Sequence, residues 1–90
     1  MSRYQVNYDL RKPGRNYDNL YKRLAEWRAV RVLKSAWIIE TQATAVAIRD
    51  DLAKHIDAND GLLVTGMTGE AAWQQLDGNS ANFLLGTRAA

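Results

Sequence analysis

Polar and apolar residues alternate from the start of the chain: Tyr4, Val6 and Tyr8 fall to one side, Gln5, Asn7 and Asp9 to the other. A period of two is that of a half-buried strand. Pro13-Gly14 then punctuates a loop. Beyond it the period lengthens: Tyr17, Leu20, Tyr21, Leu24 and Trp27 form one apolar stripe at helical spacing, predicting an amphipathic helix over 17–28. Asn16 or Asp18 offers a capping oxygen at its start. Two runs rich in β-branched residues, 29–33 and 36–41, are separated only by Lys34-Ser35 and predict a hairpin, although Lys-Ser is a weak turn pair. A second helix follows over 43–56, with Ala45, Ile48, Leu52 and Ile56 inward. Asp50/Lys54 and Asp51/His55 are spaced for charge pairing on its surface. The loop 57–61 leads into a fourth strand over 62–67.

The order β-α-β-β-α-β predicts an α+β fold of the ferredoxin-like kind, a four-stranded antiparallel sheet with two helices on one face. The other face is expected to be bare, and so to be polar, to carry a ligand or to meet a second copy. Residues 1–77 are expected to form the domain and 78–90 a C-terminal tail. Within this last part, 69–76 suggests a short helix, 77–80 a hinge, and 82–86 an apolar stretch suited to packing on something, such as the edge of a partner's sheet. A chain of 90 residues makes one domain. It buries roughly 60–65% of its unfolded surface, a thin margin that dimerisation would widen.

Cysteine is absent, which excludes disulfides, thiolate catalysis and zinc–thiolate sites and suits a reducing, cytoplasmic setting. No apolar run approaches the length of a membrane span, and no secretory signal pattern is evident, so neither insertion nor export is expected. The net charge of +2 conceals an asymmetry: nine of the twelve Lys/Arg lie in residues 1–34, beside only Asp9, Asp18 and Glu26. Such polarisation suggests a basic face that attracts polyanions. The lone His55 sits near a helix end beside Asp51 and is not expected to catalyse. No phosphate loop, dinucleotide fingerprint, nucleophile elbow or His-containing zinc spacing is present. Trp27, Trp37 and Trp73 are expected to pack; an RNA-recognition motif shares the element order, but its glycines and paired strand aromatics are missing.

Two segments carry a family resemblance, Val6-Asn7-Tyr8-Asp9 and Arg31-Val32-Leu33-Lys34-Ser35-Ala36-Trp37. With the element order, they resemble the ferredoxin-fold family of CRISPR-associated protein two (the partner of the spacer-acquisition integrase) and the VapD-like toxins. The similarity spans residues 4 to about 67, and Ala29, Leu33 and Trp37 depart from the family's glycine, glutamine and phenylalanine, as in a side branch. The resemblance implies a homodimer in which Asp9 faces its symmetry mate at a two-fold axis. The two carboxylates would share one Mg²⁺, an ion that accepts one or two carboxylates completed by water and phosphate. Asp9 is then the catalytic and metal residue of an endonuclease, with Tyr8 and Ser35 at the interface. Asp9 could equally begin a turn, Ser35 serve as a hairpin corner, and Tyr8 belong to the core.

Arg11, Lys12 and Arg15 follow the strand directly and are candidate phosphate clamps, with Arg28 and Arg31 extending the track. Three functions remain open: a Mg²⁺-dependent nuclease on RNA or DNA, a non-catalytic dimer holding nucleic acid for an integrase-type partner, and a toxin–antitoxin or phage accessory protein. One carboxylate per chain argues against efficient hydrolysis.

Overall fold

The computed structural model describes residues 2–12, 16–68 and 70–89, with residues 82 and 85–89 as backbone only. The elements are β1 (Ser2–Asp9), α1 (Asp18–Glu26), β2 (Val30–Leu33), β3 (Ala36–Thr41), α2 (Ala45–Ala53), β4 (Gly61–Gly66) and α3 (Gly78–Ala89). The strands form one antiparallel sheet in the order β2-β3-β1-β4. This small α+β fold is compatible with a ferredoxin-like arrangement.

β1 lies inside the sheet, so its alternation fixes the faces of its neighbours. Val6 pairs with Trp37 of β3 and with Val64 of β4, and Tyr4 pairs with Ile39 and Gly66. The Tyr4/Val6/Tyr8 side therefore continues across Trp37, Ile39, Leu62 and Val64. Leu20 and Leu24 of α1 and Ile48 and Leu52 of α2 close over it. Val6, Ile39 and these four helix residues are all 0% exposed. Full burial of side chains of this size stabilises by about 1.5–3 kcal/mol each.

A polar clasp joins the two helices above this layer. Arg23 donates to both oxygens of Asp51, at 2.6 and 3.1 Å, and Trp27 Nε1 donates to Asp51 Oδ2 at 2.7 Å. Arg23 is the main reason the Asp51 carboxyl is held below its ordinary value, with the Trp27 bond and the charge of His55 adding to it. Asp51 thus spends its hydrogen bonds across the helix interface rather than on His55, while Asp50 pairs with Arg49 at 2.7 Å rather than with Lys54. A planar guanidinium fork matches a carboxylate better than an exposed one-turn pair does.

Both helices are shorter than their apolar stripes. Thr44 caps α2 by accepting from Ala47 N at 3.1 Å. In α1, Tyr17 is the first flanking residue and lends no side-chain cap, while Asn16 accepts from Asp18 N at 2.8 Å. α1 ends in a Schellman closure, in which Arg28 N donates to Ala25 O and Ala29 N to Leu24 O. The closure needs a left-handed residue, and Arg28 supplies it at φ 60°.

The second face is not bare. α3 returns along β2, burying Leu84 to 5% and Ser80 to 1% exposure, and Ile38 of β3 is 3% exposed. Ser80 Oγ donates to Arg31 O at 3.1 Å, and Arg3 Cζ lies 4.6 Å from the centre of the Phe83 ring. The expected hinge at 77–80 is instead the start of this helix, where Asp77 Oδ1 accepts from Ser80 N at 2.7 Å. The expected helix over 69–76 is absent among the described residues 70–76, which run irregularly along a cavity of about 310 Å³ lined in part by Trp73, Met67 and Leu84. Terminal apolar side chains tethered to the sheet find it at high effective concentration, so they cover their own chain first. Leu33 and Leu63 stay 54% and 56% exposed.

The strained cap generates a stability test. A left-handed L-residue costs roughly 1–2 kcal/mol, against about 0.5–1 kcal/mol of extra chain entropy for glycine. Arg28→Gly is expected to raise stability by up to about 1 kcal/mol, seen as a higher urea midpoint with unchanged slope.

Candidate functional site

Asp9 closes β1 opposite Gly61 and points from the sheet face not covered by α1 and α2. Its side chain is 70% exposed, and its Oδ2 accepts from Arg11 Nε at 2.9 Å. Arg11 is itself anchored: its backbone N donates to Asp60 Oδ1 at 2.7 Å and its Nη1 to Asn59 O at 3.3 Å. The guanidinium crosses Gly61 so closely that a Cβ there would lie 3.2 Å from Nη2. Lys12 Nζ pairs with Asp57 Oδ2 at 3.2 Å. The first two cations after the strand are therefore folded back onto carboxylates of their own chain. Arg15 lies outside the described residues.

The organiser of this corner is Asp60. Besides Arg11 N, it accepts from Asp57 N at 2.8 Å and from the Tyr17 hydroxyl at 2.8 Å. It ties the loop after β1, the entry to α1 and the loop before β4 into one unit. The turn composition of 57–61 marked a loop, but nothing in its spacing announced that Asp60 would serve three elements. Among the described residues, no group of three or more His, Cys, Asp or Glu is placed to hold a metal ion. One protomer offers Mg²⁺ a single carboxylate, Asp9, which is engaged by the Arg11 guanidinium.

Tyr8 and Ser35 meet through the backbone, Tyr8 N donating to Ser35 O at 3.2 Å, while the Ser35 side chain is exposed at the hairpin turn. Tyr8 is 7% exposed and belongs to the core. Its hydroxyl accepts from Trp37 Nε1 at 2.9 Å and donates to Lys34 O at 3.3 Å. Arg31 closes the same knot, donating to Lys34 O at 2.6 Å through Nη2, with its guanidinium 5.0 Å from the Tyr21 ring centre and 5.3 Å from that of Trp37. This bond compensates for the weak Lys34-Ser35 turn, and a bulge between Arg31 and Leu33 accommodates it.

Of the expected phosphate-binding residues, Arg11, Lys12 and Arg31 thus have partners within the chain, and Arg28 does not. Among the described residues, Lys22, Arg28, Arg31, Lys34 and Lys54 lack a carboxylate partner, Arg31 being held by the Lys34 carbonyl and two rings instead. Lys22 and Lys34 were not singled out in the sequence; Lys22 alternates with the apolar stripe of α1, which is the signal that places it outward. Arg31 against Tyr21 joins the α1 side of this group to the hairpin side.

No known protein family, curated protein or solved structure matches this chain.

Burial is the chief reason that the Tyr8 phenol is pushed above its ordinary value of 10.0. The neutral phenol is the stabilised form, so its contribution is complete below pH 10 and is lost as pH rises through the raised folded value. Tyr8→Phe is expected to cost about 1 kcal/mol at pH 8, because Trp37 Nε1 loses its acceptor. The parent is then expected to lose more stability than the variant between pH 8 and pH 11, read as urea midpoints at the two pH values.

Proposed function

We propose that this chain is a nucleic-acid-binding protein acting as a homodimer, with its phosphate-binding surface on α1 and the β2–β3 hairpin. The supporting observation is that Lys22, Arg28 and Lys34 have no carboxylate partner, whereas Arg11 and Lys12 are held by Asp9 and Asp57. A cation without an internal partner keeps its full attraction for phosphate and releases a counterion on binding. A paired cation must first break its bridge. In this reading the chain holds RNA or DNA, and a partner protein of the integrase type implied by the family resemblance supplies the chemistry.

The double variant Lys22→Ala/Lys34→Ala is expected to lower the slope of log affinity against log salt by about 1.5 to 2, measured by fluorescence anisotropy. Arg11→Ala/Lys12→Ala is expected to change the slope by less than one. The opposite ranking would move the surface to the loop after β1.

The second reading is Mg²⁺-dependent hydrolysis, favoured by one observation: the exposed Asp9 carboxylate shares its sheet face with Leu63, which is 56% exposed. Two copies meeting across that apolar side chain would pool two Asp9 carboxylates. Each Asp9 is engaged by Arg11, so the ion would have to compete with that guanidinium, and cleavage of labelled RNA or duplex DNA in Mg²⁺ that survives Asp9→Asn unchanged ends this reading. Cleavage abolished both by EDTA and by Asp9→Asn would instead establish the hydrolytic role.

A further inference from the structure

Just past the end of α1 lies an open cleft of about 280 Å³, lined by Arg23, Glu26, Trp27 and Arg28. Its aromatic wall is rigid. The Trp27 indole packs partly against the core, and its Nε1 is fixed on Asp51, which is itself gripped by both arms of Arg23. At the rim stands Arg28, exposed, without a carboxylate partner, in a left-handed conformation that glycine would adopt with less strain. The closure of α1 requires the left-handed backbone there but not an arginine, so the side chain at this position is open to a further use.

The combination of ring, carboxylate and free guanidinium has a definite chemistry. A phosphate alone is poorly served here, because the carboxyl end of a helix repels anions and Glu26 adds to that. A flat heterocycle is well served: it stacks on indole without needing charge, its amino groups can donate to Glu26, and its attached phosphate reaches Arg28. Bases inside a duplex are closed to such stacking.

We propose that the Trp27–Arg28 cleft receives an unpaired base, which makes the ligand single-stranded nucleic acid rather than duplex. The inference rests on the nucleic-acid-binding reading and narrows its ligand.

The test compares a labelled strand of about 20 nucleotides, the same strand annealed to its complement, and the same strand with abasic sites, by fluorescence anisotropy. The parent protein is expected to bind the strand about tenfold more tightly than either of the others, as one stacked base allows. Arg28→Gly, which folds at least as well, is expected to lose most of that preference, and to bind the duplex more weakly only by the one phosphate contact it gives up. Equal affinity for strand and duplex overturns the inference and leaves the broader reading standing. A strand preference untouched by Arg28→Gly removes it from this cleft. Binding to none of the three ends both.

Discussion

Everything in this fold depends on the register of β1. It is paired on both sides, to β3 and to β4, so its period of two is imposed on the whole sheet. A slip by one residue would carry Tyr4, Val6 and Tyr8 to the face opposite α1 and α2, and would set Gln5, Asn7 and Asp9 against Leu20, Leu24, Ile48 and Leu52. Burying those polar groups without partners would cost several kcal/mol in total. The same register that builds the core puts Asp9 out at the strand end, in water.

Charge is arranged in a second tier. Arg23–Asp51–Trp27 locks α1 to α2, and Asp60 gathers the loop corner. Arg31 braces the hairpin from above with the Tyr21 and Trp37 rings. Each of these uses a charged or polar side chain to fasten two elements that the apolar layer has already brought close. The cost is that the cations so used are withdrawn from solvent chemistry. Among the described residues, the basic excess of 1–34 therefore overstates the free positive surface, whose unpartnered cations from that stretch lie on and just after α1 and in the β2–β3 hairpin.

α3 changes the outlook of the second face. With Ile38, Leu84 and Ser80 buried beneath and within it, the face near β2 is occupied by the chain itself. What stays open is the β1–β4 side, where Asp9 and Leu63 lie. A two-fold contact therefore has less surface available than an uncovered sheet would give it, whereas the cleft at the end of α1 is lined, among the described residues, by Arg23, Glu26, Trp27 and Arg28.

Strands β1 and β3, the two apolar helix stripes and the order of the first six elements were legible in the sequence, because the periods of strand and helix reflect local geometry that burial selects residue by residue. The helix ends were less legible. A Schellman closure with arginine in the glycine position has no pattern to find, and the stripe of α1 runs on through Trp27 after the helix has stopped. Asp9, Arg11 and Lys12 could be picked out as chemistry, but not the anchoring of Lys12 on Asp57 and of Arg11 on Asp60, since those partners lie more than forty residues away along the chain. Asp51 chose Arg23 over its nearer neighbour for the same reason. Local patterning determined which faces are apolar; only the tertiary structure decided which charges are consumed in holding those faces together and which are left free to bind.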